Sequence, residues 1–523
     1  MSRPRAFLAA AIFIQILRAQ PGIQQNGVVN LASQMPPTLE GGAIARGALF
    51  TIYGVRLGTS GHVTAAILRG EASAPVEVIS ARPRQIAARM PLNAPLGAGS
   101  LIVTVDGKPS KPFSLEIAAS NPGLFSRNLQ GWGPGRIQNI DARGGRSENT
   151  RLHPARRGQR ISLAASGMGN VASIDVIIGA RVVKASVGRG ARAGEENIVL
   201  TLPADAPLGC WVPVSLQSSA IRASNSVTLT ITAASEPCDP GPFPWLPGKS
   251  MAVAVFSRTR MKALRADAPD ALADAARVSI QSATQDMLLQ PIQLLPPAGT
   301  CTNYTSSAQA QGTLVHAAPA AFDLEGQGLD AGSPLVIRRG AGGQRTISRG
   351  LEAYGTYRQR IGTAGFAAKR GSPPLFLDPG DFVLSSPGGK QVGDFNAPFR
   401  APVPFEWPER DQIRVVDRRR GVTLHWRDPN RDNLMVIVAL NQDEITTAIG
   451  MCLCTANSSS GQFTIPAAML GNVPASRDIA ENSINELAIA SLPRKPESTI
   501  RARGLDGGMI YTLYANGRSV EYR

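Results

Sequence analysis

A chain of 523 residues with sixteen more positive than negative groups, 43% hydrophobic and 18% charged, has apolar material for several packed cores, which excludes wholesale disorder. Its 53 glycines and 40 prolines, with only 5% aromatics, fit many turns and short strands better than long helices.

Arg3 and Arg5 precede an apolar run from Ala6 to Leu17, and Leu17-Arg18-Ala19 offers a small residue at a cleavage point. A basic start, a short apolar core and a small-residue site predict a secretory signal peptide over 1–19. Spanning a bilayer as a helix takes roughly 20 apolar residues. The later apolar runs Met251–Phe256 and Leu434–Leu440 are only strand-length. The mature chain is therefore expected to be exported, secreted or held in the cell envelope, without a transmembrane span.

Beyond that leader, alternation with a period of two dominates. Ala48–Tyr53, Leu101–Val105 and Val227–Ile231 read as strands. Near the end, Val422, Leu424 and Trp426 share one face, with Thr423, His425 and Arg427 on the other; Leu434, Val436, Val438 and Leu440 alternate likewise. Asp106-Gly107, Asp378-Pro379-Gly380, Pro387-Gly388-Gly389 and Asp506-Gly507-Gly508 supply turn chemistry. The one helical competitor is Pro269–Arg277, with a proline placed for the first helical position and alanines following, a single short segment that leaves the all-β class unchanged.

An internal repeat organises the first half. Pro91-Leu92-Asn93-Ala94-Pro95-Leu96-Gly97 recurs 112 residues later as Pro203-Ala204-Asp205-Ala206-Pro207-Leu208-Gly209. Gly47 and Gly58 bracket Phe50-Thr51-Ile52 as Gly158 and Gly169 bracket Ile161-Ser162-Leu163, and Phe113–Ser120 is echoed by Val227–Ser235. Matched landmarks in one order predict two copies of an immunoglobulin-like β-sandwich, over 20–118 and 119–235. The prolines within 236–249 read as a stiff linker. A β-rich domain over 250–400 and a C-terminal β-sandwich over 401–523 complete an all-β chain, with the division of that half into one domain or two left open.

These landmarks resemble an uncharacterised secreted acidobacterial (Solibacter-type) family with IPT/TIG-like, immunoglobulin-related repeats. The resemblance runs through Gly27–Ser33, Arg46–Gly54, Gln85-Ile86, Met90-Pro91, Ala94–Gly97 and Asn121–Phe125. In the second half it continues through Leu329–Gly332, Phe376–Gly380, Val392–Phe395, Phe405–Trp407, Gly421–Trp426 and Gly461–Pro466. Ala87 departs from the asparagine expected after Gln85-Ile86. The resemblance implies export and immunoglobulin-like sandwiches, and it brings no catalytic residues.

In an oxidising compartment the five cysteines are disulfide candidates. Cys210 opens the second repeat's penultimate strand and Cys238 follows the returning strand, so an antiparallel hairpin brings them together. Closing that loop would stabilise the chain by roughly 3.5 kcal/mol in the chain-entropy model. Cys301 then pairs with Cys452 or Cys454, and the sequence does not choose between them.

Tests for chemistry nominate no catalytic, cofactor-binding or metal-ligating residue. Ala165-Ser166-Gly167-Met168-Gly169 lacks the first glycine of a nucleophile elbow. His62, His153, His316 and His425 lack the spacing of a zinc site. Asp428–Asn433 alternates oxygen ligands as a calcium loop does, but Asn433 and Ala439 stand where Gly and Glu are needed, so a polar turn is expected. Gly188-Arg189-Gly190 and Gly326-Gln327-Gly328 lack a phosphate loop's third glycine. Arg156-Arg157 with Arg160, Arg338-Arg339 and Arg418-Arg419-Arg420 read as solvated surface, with an anionic polysaccharide or envelope lipid as the functional alternative. The expectation is a non-enzymatic exported protein engaged in binding or structural display, its partner an extracellular glycan or envelope component and not nucleic acid. The rival is an extracellular hydrolase in which folding gathers Asp330, Asp381, Asp394 and His425.

Overall fold

The computed structural model describes residues 20–58, 62–219, 221–234, 236–239, 248–265, 267–283, 294–306, 326–340, 342–350, 354–477 and 483–523. The expected signal peptide, most of the proline-rich linker and His316 lie outside them. The described chain is almost entirely β, with helical turns at Ser458–Ser460 and Ala467–Leu470.

The first unit contains β1 (Gly22–Asn30), β2 (Ile44–Ala45), β3 (Leu49–Val55), β4 (Val63–Arg69), β5 (Ala72–Arg82), β6 (Gln85–Arg89), β7 (Gly97–Val105) and β8 (Phe113–Ala118). The second contains β9 (Ile137–Ile140), β10 (Ala155–Arg156), β11 (Arg160–Ser166), β12 (Ser173–Ile178), β13 (Arg181–Arg189), β14 (Glu196–Thr201), β15 (Gly209–Gln217) and β16 (Val227–Thr232). Strand order in the first is β1-β3-β6-β5-β4-β7-β8-β2; in the second it is β9-β11-β14-β13-β12-β15-β16-β10. Apart from an extra edge strand, Arg146–Glu148, beside β9 in the second unit, the two orders are the same. In each, one long strand changes partner along its length. β5 pairs with β4 through Val76 and with β6 from Glu77, and β13 pairs with β12 through Ser186 and with β14 from the same residue. Such a strand bends from one layer of a sandwich into the other. Alternate side chains fill the space between layers: Ile52, Ile67, Ile86, Leu101 and Ile117 in one unit, Leu163, Val176, Ile198, Val212 and Ile231 in the other.

The recurring sequence landmarks are turn locks. Arg46 Nε donates to the Ala94 carbonyl at 2.6 Å, and Arg157 Nε donates to the Ala206 carbonyl at 2.7 Å. The glycines beside these arginines, Gly47 and Gly158, have φ of 73° and 76°, where a side chain would be strained.

In the second half, one sheet runs β19 (Thr300–Ser306), β23 (Ile449–Asn457), β22 (Leu434–Gln442), β25 (Asn485–Leu492), β26 (Gly507–Ser519), β17 (Ser250–Lys262) and β18 (Ala271–Ala283), and β20 (Thr356–Gly365) also pairs with β18. β21 (Val422–His425) pairs with β24 (Gln462–Ile465) beside it. The strand pairing bears on two of the sequence readings. β17 lies parallel to β26 from Met251↔Gly507 to Lys262↔Arg518, so a boundary at 400 cuts through one hydrogen-bonded sheet. Pro269–Arg277 is not helical: its alanines belong to β18, which is paired with β17 on one side and β20 on the other. Tertiary pairing overrides the local helix propensity.

The units are joined by built seams. Between the first two, Asn30 Nδ2 donates to the Ser166 carbonyl at 3.2 Å, Ser166 Oγ accepts from Leu49 N at 2.9 Å, and Asn121 Nδ2 donates to the Gly41 carbonyl at 2.7 Å. Between the second unit and the large sheet, Trp132, Cys210, Trp211 and Cys238 pack into one core with Val253, Tyr304, Met451 and Tyr511.

Candidate functional site

A cavity of about 480 Å³ opens where these three parts meet. Thr38, Leu39 and Glu40 come from the first unit, between β1 and β2, and Arg222 comes from the connection between β15 and β16. Arg418 and Arg419 precede β21, Asp443 follows β22, and Pro474, Ala475 and Arg477 lie before β25.

Local hydrogen bonding fixes each wall. The Asp417 carboxylate accepts from Arg419 N at 2.8 Å, and its carbonyl accepts from Arg420 N and Gly421 N, closing a tight turn. Gly421 has φ of 79°, and a Cβ there would stand 2.5 Å from the Ile465 carbonyl, so the turn requires glycine. Asp443 Oδ1 accepts from Ile445 N at 3.0 Å and Thr446 N at 2.9 Å. Ser476 is pinned to Tyr522 by two backbone-anchored bonds of 2.8 and 2.9 Å, which sets Arg477 at the rim.

The four arginines differ in how their charge is met. Arg222 is fully engaged. Its Nε and Nη2 lie 2.8 and 2.7 Å from Glu40 Oε2, and its Nη1 donates to the Arg418 carbonyl at 2.5 Å and the Ala467 carbonyl at 3.2 Å. A Cβ on Gly471 would stand 3.0 Å from Glu40 Oε2, so this glycine leaves room for the pair. Burial works against the Glu40 carboxylate, but Arg222 and then Arg418 outweigh it and hold its pKa below the usual range. Arg477 Nε stands 3.8 Å from Asp443 Oδ2, a loose pair. Arg418 and Arg419 have no carboxylate partner among the described residues. Arg418 Nη1 donates to the Val473 carbonyl at 3.0 Å, while its Nε is buried with no hydrogen-bond partner. Burial first, then the charges of Arg222, Arg419 and Arg477, push the Arg418 pKa down against the pull of Glu40. Four guanidinium groups against two carboxylates leave the cavity lining net positive.

The sequence pointed to part of this cavity. The Arg418-Arg419-Arg420 cluster is solvated surface only at Arg419 and Arg420; Arg418 is partly buried inside the cavity wall. Glu40, Arg222, Asp443 and Arg477 belong to no motif, because they meet only through docking of distant segments. The other basic clusters do structural work: Arg157 locks a turn, and Arg339 lies 3.4 Å from Asp378 and 5.9 Å from the centre of the Phe382 ring.

The four residues of the rival hydrolase reading sit in exposed or locally paired settings. Asp330 closes its own loop, accepting from Gly332 N at 3.0 Å, with Arg349 Nη1 at 3.4 Å. Asp381 pairs with Arg400 on a separate four-stranded sheet and is almost fully exposed, and Asp394 is exposed. His425 is exposed at the end of β21, with Nδ1 3.1 Å from Glu409 Oε1. The Asp428–Asn433 segment is a self-closed turn: Asp428 Oδ1 accepts from Asn430 N at 2.9 Å, and its Oδ2 accepts from Ser491 Oγ at 2.6 Å.

Two disulfides are present. Cys210 and Cys238 are joined with Cα atoms 5.5 Å apart, and Cys301 is joined to Cys454. The register settles the choice between Cys452 and Cys454. Cys301 faces Cys454 directly across β19 and β23, whereas Cys452 faces Asn303. Cys452 is free and buried, its Sγ 3.6 Å from that of Cys454, and burial pushes its thiol pKa up, away from reactivity. These three cysteines are the one cluster among the described residues close enough to hold a metal ion, and two of them are spent in the disulfide.

No family model and no curated protein matches the chain. Among solved structures it is similar to the SGBP-B protein of a Bacteroides ovatus mixed-linkage glucan utilization locus, at 14% identity over 41% of this chain and 48% of that one, with a TM-score of 0.22. It is also similar to SGBP-B from a complex xyloglucan utilization locus of Bacteroides uniformis, at 12% identity over 66% of this chain and 86% of that one, TM-score 0.18. Fibronectin(III)-like modules of Clostridium thermocellum CbhA match at 13% identity over 36% of this chain and 89% of the other, TM-score 0.12. At these values the likeness carries no functional weight. No helix among the described residues is long and apolar enough to cross a membrane.

Proposed function

We propose that the chain is an exported, non-enzymatic binding protein of the extracellular space or cell envelope, and that its partner is an extracellular glycan or other envelope component. The observation that carries the reading is the junction cavity, whose buried Arg418 Nε has no partner and whose arginines outnumber its carboxylates. An anionic ligand in the cavity would meet the positive charge that its two carboxylates leave uncompensated. The two disulfides support export, since such bonds persist in oxidising compartments. Rigid sheets positioning a loop-lined cavity are the usual arrangement of a binding site.

The test is a binding screen of the full mature chain against a glycan panel and against solubilised envelope fractions. The expected result is saturable capture of at least one glycan or envelope component, weakened by raising the salt concentration. Capture of nothing in either arm would contradict a binding role, and turnover of a panel glycan would contradict the non-enzymatic reading.

A further inference from the structure

We infer that the junction cavity binds the carboxylate of an acidic saccharide, a uronic-acid residue of a polysaccharide, with Arg418 and Arg419 as its charge partners. This rests on the binding reading above and narrows it to one ligand chemistry at one site.

The division of labour among the arginines supports the choice. Arg222 is saturated by Glu40 and two carbonyls, so it shapes the cavity without being free to bind. Arg418 and Arg419 both line the cavity with guanidinium groups that have no carboxylate partner among the described residues, and Arg419 is exposed. Planar guanidinium groups match a planar carboxylate with two parallel hydrogen bonds. The built-in acids cut down the positive field: Glu40 neutralises Arg222, and Asp443 sits 3.8 Å from Arg477. What is left suits a modest anionic charge better than a polyphosphate. The wall also includes Leu39, Pro474 and Ala475, apolar surface against which a sugar ring can lie. A cavity of about 480 Å³ admits a saccharide unit but not the acyl chains of a lipid. Because its walls come from three parts of the chain, an occupant also ties those parts together.

The experiment is calorimetric titration of the full mature chain with tri-galacturonate, maltotriose and inorganic phosphate, repeated on Arg418→Gln, Arg419→Ala and Arg420→Ala. Arg419 and Arg420 are exposed, so those two variants keep the fold. Arg420 is the control, outside the cavity lining. The expected result is binding of tri-galacturonate and not of maltotriose. Affinity should fall roughly tenfold or more in R418Q and R419A, the loss of a charge-assisted hydrogen bond, and stay unchanged in R420A. Equal affinity in wild type, R418Q and R419A would overturn the inference. So would binding of phosphate without tri-galacturonate, or equal binding of maltotriose. If the glycan and envelope screen yields ligands while tri-galacturonate fails, this inference falls and the binding role stands; if that screen is empty, both fall.

Discussion

The Arg418 guanidinium and the Glu196 carboxyl are both buried charges short of partners, and they have opposite consequences. Arg418 lines an open cavity beside other guanidinium groups. Glu196 opens β14 at the seam between the first two units, and its Oε2 is buried without a partner. Burial raises its pKa to about 7, against the opposing pull of the Met168 and Gly167 N–H groups. A carboxyl whose folded pKa exceeds its unfolded value holds more protons when folded, so stability falls as pH climbs from about 4.5 towards 7. Glu196→Gln should therefore raise the melting temperature at pH 8 relative to wild type, with a smaller difference at pH 4.5. Thermal unfolding of both proteins at the two pH values checks this; an equal offset at both would mean that Glu196 is not protonated on burial. Glu196 was not legible in the sequence, and Arg418 was legible only as one member of a basic run. Both owe their state to segments that only the fold brings near, and Arg418 by itself looks like any arginine in a basic run.

Among the strands, locally encoded features could be read and pairing could not. The repeat was visible because its landmarks sit at turn locks, where Arg46 and Ala94 must meet in one copy as Arg157 and Ala206 do in the other. The alternation of Val422, Leu424 and Trp426 against Thr423, His425 and Arg427 matches inward and outward faces. Cys210 and Cys238 could be paired from hairpin geometry alone, whereas the choice between Cys452 and Cys454 waited on the register of β19 against β23. Pro269–Arg277 reads as a helical competitor because its alanines favour a helix in isolation, and only flanking by β17 and β20 makes it a strand. The Cys210–Cys238 link ties the start of β15 to the segment after β16 at the packed seam with Val253 and Tyr304. Replacing both cysteines by serine should lower the unfolding free energy by roughly 3.5 kcal/mol, read from denaturant unfolding with midpoint and slope both fitted. No change in midpoint would show that the seam holds without the bond.

For the molecule as a whole, the first strand of the second half pairs with one of its last inside the large sheet. β17 and β26 are neighbours in space although some 250 residues separate them in sequence. A boundary near residue 400, drawn from local texture, could not anticipate a parallel pair of that reach, whose partners carry no matching local pattern. The junction cavity is a product of the same long-range closure, since it needs the first unit, the second unit and the loops of the large sheet in one place. An acidic saccharide seated there would touch all three. Hydrogen exchange of the mature chain with and without saturating tri-galacturonate tests this most directly. We predict slowed exchange at 38–40, 221–224, 417–421 and 473–477 together, with the outer strands of each unit unchanged. Protection confined to other loops, or no protection at saturation, would contradict a binding site at the junction.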